Sequence, residues 1–429
     1  MPHIFYLLLS AVLLSINLSA QEKFDPPAVY LTWRGDPATT MLIRWQSNRE
    51  DNRPTELLYQ RLDDPSWQSA QGTSYPMAHS DRTIHLVELT GLAPNTRYRF
   101  RPGDDAVAFK FRTMPATADE PIRFVVGGDM YGANKWYNRT DPRNLFGVFR
   151  KGRYSILRET NRQAASQDPR FVVIGGDITY SDGDPDKYER WYRWLTAWKE
   201  DMVTSDGLLI PLLPAIGNHE VRDNTYREEW HSKMPYEAEV EAPFFYSLFV
   251  HPDTSSYRAV DFRDYLSIIL LDSGHTNFVH AQNQWLSRTL QLRSEFPHLF
   301  AVYHVPAYPS YRSPLGRVTT SLLKNWIPLF ERFGLDAAFE HHDHTYKRTH
   351  PIRNGKVHPE GVIYLGDGAW GRLRSPKKAH HRWYLAHTAK EFNFIMVEIQ
   401  SKQRSFFAIN ENGELIDRYP TVPTLDQAP

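Results

Sequence analysis

The chain has 429 residues, 41% of them hydrophobic and 14% aromatic, which exceeds one ordinary core and leads us to expect two domains. Fifty basic residues balance fifty acidic ones, so the formal net charge is zero and no global field favours nucleic acid or an anionic membrane. Cysteine is absent, which excludes a disulfide framework, a thiolate metal site, a thiol nucleophile and a lipid-modified cysteine.

Residues 1–20, MPHIFYLLLSAVLLSINLSA, form an apolar run too short for a comfortable membrane span and end in small residues before Gln21. The run reads as a signal peptide cleaved after Ala20, the alternative being an uncleaved anchor. Cleavage would leave a secreted or periplasmic protein with no stable membrane span. From Phe24 the pattern turns all-β: VYLTW (29–33), MLIRW (41–45), TIHLVEL (83–89), RYRFR (97–101) and AFKFRT (108–113) alternate with period two, and Gly35-Asp36-Pro37, Ala93-Pro94-Asn95 and Gly103-Asp104 supply turns. Short strands at this spacing predict a β-sandwich over 24–115. Its stretch LTGLAPNTRYRF, with Tyr98 just after a Pro-Asn turn, resembles the corresponding segment of a fibronectin type III module.

PATADEP (115–121) has a linker's composition, and the texture then changes to strands alternating with helices, which predicts an α/β domain over 120–420. Asp184-Pro185 reads as a helix start, and Tyr188, Trp191, Leu195 and Trp198 then recur at the spacing of a core-facing helix stripe. Further helices are expected in QNQWLSRTLQLRS (282–294) and SLLKNWIPLFERF (321–333). FNFIMVEIQ and SFFAI read as strands, FAINENGELIDRY as a hairpin turning at Asn412-Gly413, and TVPTLDQAP as a frayed tail.

The chemistry is concentrated in five short segments: GGDM ending at Met130, GGDITY ending at Tyr180, GNHE at 217–220, VYH ending at His304 and HHDH at 341–344. Each follows or neighbours an apolar, strand-like run, and FVVGGD and FVVIGGD are near repeats of one another. Paired glycines let the backbone turn sharply and bring an Asp close to a metal. Together the segments offer Asp, Asn, Tyr and His, a mixed oxygen and nitrogen set suited to a pair of borderline-to-hard ions. Taken singly, Tyr180 could be an ordinary buried ring and either Asp a turn cap; it is the set that points to two-metal phosphoester hydrolysis. In HHDH a bend could aim both His342 and His344 at such a centre, whereas an extended strand would point them the same way.

The order Asp, GDxxY, GNH(D/E), lone His, GHxH resembles the purple acid phosphatases within the calcineurin-like metallophosphoesterases, and HHDHTYKR follows their GHxHxYxR with only the first Gly changed. The resemblance implies an amino-terminal fibronectin-like sandwich followed by a four-layer α/β metallophosphoesterase domain. It assigns Asp129, Tyr180 and His344 to a ferric ion, Asp177 to a bridge between both ions, and Asn218, His304 and His342 to a second, divalent ion (iron, zinc or manganese). The implied activity is hydrolysis of a small phosphate monoester by a hydroxide held at the metals. A phosphodiesterase or nucleotide-hydrolysing enzyme on the same centre is the alternative, and an inactive adhesion or ligand-binding protein a further one. His219 is the candidate residue beyond the ligands, either hydrogen-bonding phosphate and protonating the leaving oxygen or serving as an orienting imidazole.

Departures from the family pattern fall at His341, in place of Gly, where it is either an extra polar contact or a bystander, and at Tyr131, with Gly132 next. Where plant-type members carry pocket histidines, HVPAYPSYRSP offers Tyr308, Tyr311 and Arg312. His275 and Asn277 in LDSGHTN and Asp367 in LGDGAWG are further polar candidates near predicted strand ends. Oligomeric state leaves no mark on the sequence.

Overall fold

The computed structural model describes residues 23–130, 153–224, 237–250, 255–366, 368–377 and 379–420. The expected signal peptide, Tyr131, Gly132, Asp367 and the 421–429 tail therefore lie outside the described residues.

Two four-stranded antiparallel sheets form the amino-terminal sandwich. One runs in the order Val29–Thr32, Met41–Asn48, Arg82–Leu89, Thr73–Pro76, and the other Gln68–Gln71, Glu56–Arg61, Arg97–Arg101, Phe109–Arg112. Alternation drives this arrangement: in Arg97–Arg101 the residues Tyr98 and Phe100 are buried while Arg97 and Arg99 face outward. The Tyr98 hydroxyl accepts the Ala93 backbone N–H at 2.9 Å, pinning the turn before its strand.

The second domain holds two larger sheets. The six-stranded sheet has the order Leu212–Pro214, Val172–Ile174, Ile122–Gly127, Asn393–Gln400, Gln403–Asn410, Leu415–Tyr419, its first three strands parallel. The seven-stranded sheet has the order Arg258–Phe262, Leu266–Leu270, His298–Val302, Ala337–Glu340, Ile363–Gly366, Tyr346–Thr349, Leu385–Ala389, parallel over its second to fifth strands. Central strands such as VVI and HLFAV are buried along their whole length, as expected of parallel strands covered on both faces. The sheets pack through aromatic rings: Phe124 stacks on Phe171 at 4.7 Å, Phe171 on Phe262 at 4.7 Å, and Phe300 meets Phe339 and Phe406 edge-on or nearly so. Helices flank the sheets, among them Arg153–Ala165, Tyr188–Asp201, Asn283–Gln291 and Arg317–Asn325. Asp184 caps the 3-10 turn Pro185–Lys187 by accepting the Asp186 N–H, and the helix that follows buries Trp191, Trp194, Leu195 and Trp198.

The sandwich and the second domain share one hydrophobic core. Trp33 of the sandwich packs edge-on against Phe171 and Phe262, one from each large sheet's neighbourhood, at 5.9 and 5.7 Å. The Tyr30 and Tyr75 hydroxyls donate to the Leu248 and Ser247 carbonyls at 3.0 Å, and Arg263 pairs with Asp36 at 2.8 Å. Among the described residues no helix is long and apolar enough to cross a membrane.

Candidate metal centre

All five chemistry-bearing segments leave the carboxyl ends of parallel strands. Asp129 follows Ile122–Gly127, Asp177 and Tyr180 follow Val172–Ile174, and Asn218 and His219 follow Leu212–Pro214; from the other sheet, His304 follows His298–Val302, and His342 and His344 follow Ala337–Glu340. Ligand crevices in open α/β sheets form at this edge. Here the two sheets present it side by side, so that three strands of one and two of the other converge.

Two donor groups result, Asp129 with Asp177 and His344, and Asp177 with His304 and His342, the ligand atoms of each lying within 4.8 Å of one another. Asp177 belongs to both. Around the first group the Tyr180 hydroxyl donates to Asp129 Oδ1 at 2.8 Å and lies 3.3 Å from His344 Nε2, which is itself 2.8 Å from Asp129 Oδ1. Around the second, His304 Nε2 lies 3.0 Å from Asn218 Oδ1, 3.1 Å from His342 Nδ1 and 3.3 Å from Asp177 Oδ1. All seven expected ligands are thus brought together, and each is at least 95% buried.

The backbone is shaped for this convergence. Asp129, Asp177, Tyr180, His342 and His344 all adopt left-handed conformations, with φ of 55°, 54°, 57°, 75° and 58°. Each costs on the order of 1 kcal/mol or more for a residue with a side chain, and such strain clusters where function requires a fixed geometry. The bend at His342 and His344 sends the one imidazole to the second donor group and the other to the first.

Glu220, the last residue of GNHE, was not singled out in the sequence, yet it braces the centre. Its carboxylate accepts the N–H groups of Asp177 and Gly217 at 2.8 Å and of Ile178 at 2.7 Å, and burial together with the Asp177 charge pushes its carboxyl up to about 7. His341, the departure from the family's Gly, also has a definite place: its Nδ1–H donates to the Tyr303 carbonyl at 3.0 Å, and burial lowers its ring to about 4. The ring occupies space that the paired glycines leave open, since a Cβ on Gly175 would stand 1.9 Å from His341 Cε1 and one on Gly128 2.7 Å from its Cδ2. It is a filler between the two GGD turns.

His219 points its Nδ1 at the Asp182 carboxylate, 2.5 Å away, and its Nε2 toward Asp177 Oδ2, 3.9 Å away, while its backbone N–H donates to Asp177 Oδ1 at 2.8 Å. Burial raises Asp182, but its contacts with His219 and Lys187 outweigh this and hold the carboxyl below its ordinary value. Around the mouth stand three arginines. Arg372 lies over the Tyr180 ring at 4.2 Å, Arg374 lies over Tyr311 at 5.1 Å and donates its backbone N–H to the His344 carbonyl, and Arg312 Nη2 donates to the His342 carbonyl at 3.3 Å. Arg372 and Arg374 were not read from the sequence, where GRLRS carries no motif.

The remaining candidates do other work. Tyr308 is buried against Tyr364 and Tyr384, 4.5 and 5.3 Å between ring centres, and belongs to the core. Asn277 joins the backbone N–H groups of His275, Thr276 and Asn277 in a hub around the buried Asp272, and His275 lies edge-on to the His304 ring at 5.6 Å.

The donors fit a pair of cations. Asp177 Oδ2 is buried with no hydrogen-bond partner, an expensive arrangement for a carboxylate unless a cation completes it. Burial pushes Asp177 and Asp129 up, but the neighbouring histidines outweigh it and both are held below the ordinary carboxylate range. His304 is opposed by burial yet rises to about 9 because Asp177 and Asp129 face it, so loading a cation there must release its proton. Burial and the same two carboxylates push the Tyr180 phenol well above its ordinary value, and only a strongly Lewis-acidic ion would ionise it.

Comparison with known proteins agrees with this geometry. Residues 26–113 match the family profile described as purple acid phosphatase, N-terminal domain, and residues 122–346 that of calcineurin-like phosphoesterase. Purple acid phosphatase 21 of Arabidopsis thaliana is 27% identical over 310 residues, covering 70% of this chain and 62% of its own, so the chain spans less than two thirds of that relative. Purple acid phosphatase 18 of the same plant is 24% identical over 376 residues, 83% of this chain and 75% of its own. In fold, a purple acid phosphatase from yellow lupin (Lupinus luteus) seeds superposes with a TM-score of 0.69 at 15% identity, covering 91% of this chain and 73% of that one. A sandwich and a two-sheet catalytic domain, five donor segments in order and the profile over more than half of the chain together make this a calcineurin-like phosphoesterase, with an amino-terminal domain of the purple acid phosphatase type and purple acid phosphatases among its relatives.

Proposed function

We propose that the chain is an exported hydrolase of phosphate monoesters, working on a ferric ion paired with divalent iron, zinc or manganese. The observation that carries the reading is Asp177, common to two buried donor groups and holding one oxygen without a partner. Asp129, Tyr180 and His344 would hold the ferric ion, and Asn218, His304 and His342 the divalent one, with Asp177 between them. Such ions supply Lewis-acid charge to phosphate oxygens and lower the pKa of water at neutral pH.

The protein's own groups then divide the remaining work. Arg372 and Arg374 add positive charge beside the donor groups, Arg312 being paired with Asp343 at 3.6 Å, and this charge favours a dianionic monoester over a monoanionic diester. Asp182 fixes the His219 ring through Nδ1 and leaves Nε2 to hydrogen-bond a phosphate oxygen or to deliver a proton to the leaving oxygen. Sandwich support is consistent with a fibronectin-like module, whose tyrosine-pinned turn is present at Tyr98 and Ala93. Export rests on the apolar start before Gln21, and mature protein is expected to begin near that residue.

The test is steady-state kinetics of metal-analysed protein on an aryl phosphate monoester and the matching diester. The monoester is expected to have the higher kcat/KM, with about two ions per chain, at least one of them iron, and a visible band that Tyr180→Phe abolishes. Higher kcat/KM on the diester removes the monoester assignment, and a stoichiometric centre without iron removes the metal assignment.

A further inference from the structure

The seam between sandwich and catalytic domain holds an open cleft of about 470 Å³ at the opposite, amino-terminal edge of the strands that carry the metal donors. Arg97 and Arg112 line it from the sandwich, and Arg123, Arg170, Ser205 and Asp206 from the catalytic domain. Arg97 is neutralised by Asp206 at 2.6 Å and Arg123 by Glu398 at 2.8 Å, while the Asp168 carboxylate takes the Ser205 N–H and hydroxyl. Two guanidiniums remain without a carboxylate partner among the described residues. Arg112 reaches only the Asn95 carbonyl, at 3.4 Å from Nε, and Arg170 Nη1 is buried with no acceptor. Both are destabilised as cations: burial first, then Arg112 and Arg97, pull Arg170 down to about 10, and burial and Arg97 lower Arg112, the Asp206 charge opposing the shift in both without offsetting it.

We propose that this cleft is a binding site for a small oxyanion of the phosphate class, clamped between Arg112 of the sandwich and Arg170 of the catalytic domain. A planar guanidinium matches the oxygens of a tetrahedral anion in a bidentate manner, and two unneutralised cations match a dianion. The volume lies in the range of small-molecule sites, leaving room for a phosphate carrying a modest organic group. Because its two clamps come from different domains, the anion would also fasten the sandwich to its partner.

Inorganic phosphate is the probe, titrated calorimetrically into the metal-loaded protein, with catalytic inhibition by phosphate followed in parallel. Wild-type protein is expected to show two classes of phosphate site. Arg112→Gln and Arg170→Gln should each weaken one class at least about tenfold, the loss typical of one charge-assisted contact, and leave the inhibition constant unchanged. Thermal unfolding separates a clamp from a packing role. Without phosphate, Arg170→Gln should unfold no earlier than wild type, since it removes an unpaired buried charge, whereas the rise in Tm that phosphate gives wild type should shrink. Arg112→Lys, which keeps the charge but not the fork, should bind with intermediate affinity. One class of phosphate site in wild type, or unchanged binding in both glutamine variants, overturns the proposal.

Discussion

Asp177 has two carboxylate oxygens with unequal duties: Oδ1 accepts a backbone N–H, while Oδ2 has no hydrogen-bond partner among the described residues and is left to the expected cations. Asp177→Asn should therefore lose metal along with turnover. His219→Ala removes a ring that Asp182 holds in place and that packs on Tyr180 at 4.1 Å but supplies no atom to either donor group, and should keep about two ions while kcat falls by roughly two to four orders of magnitude. Elemental analysis beside turnover decides both, and metal loss in the His219 variant would make that ring structural. A second residue-scale expectation concerns the filler between the turns. Gly175→Ala should cripple the centre because its Cβ would meet the His341 ring, and adding His341→Gly should restore metal content, a coupling that a double-mutant cycle measures. Equal loss in single and double variants would mean that the ring is not the obstacle. The seven donors that the fold brings together were legible in the sequence because each belongs to a short motif. Glu220 was passed over within one of those motifs, since a side chain that accepts backbone N–H groups has no spacing signature. Arg372 and Arg374 lie some thirty residues past HHDH, and only the return of the chain over Tyr180 gives them meaning.

At the scale of elements, His298 opens the strand His298–Val302 and donates its Nε2–H to the Ser401 carbonyl of the neighbouring sheet's hairpin at 3.0 Å. Burial, then Arg404, lowers it to about 4, below the value of about 6.5 in an unfolded chain. Between those values the unfolded chain takes up a proton that the folded one refuses, so this residue's contribution falls as pH drops from about 6.5 toward about 4. His298→Asn should be less stable than wild type at pH 7, with the gap narrowing through that window in denaturant titrations; a constant gap would exclude the effect. Period-two alternation revealed five of the sandwich strands. Glu56–Arg61, Gln68–Gln71 and Thr73–Pro76 escaped because their half-exposed or polar faces, as in QSAQ, carry no apolar alternation. The run 321–333 reads as one helix yet splits into Arg317–Asn325 and Ile327–Arg332, since Pro328 is tolerated only in a first turn.

Over the whole molecule, Trp33 makes the sandwich part of the catalytic domain's core, and truncation to Ala should cost about 3–5 kcal/mol. Calorimetry of wild type should show one cooperative transition, and the Trp33 variant a lower Tm; two separated transitions in wild type would show the core to be divided. The two large sheets are joined by apolar rings along their length, but at their carboxyl edge the contact is polar: the donors reach across, three strands' worth from one side and two from the other, with the His341 ring and the Trp370 and Gly371 N–H groups beside them. An ion pair seated there acts as a rivet through two plates. Its removal should leave the aromatic layers shut while the edge breathes, so that amides of 174–180 and 340–344 become the fastest of the buried set to exchange with deuterium in chelated protein, well before the strands behind them.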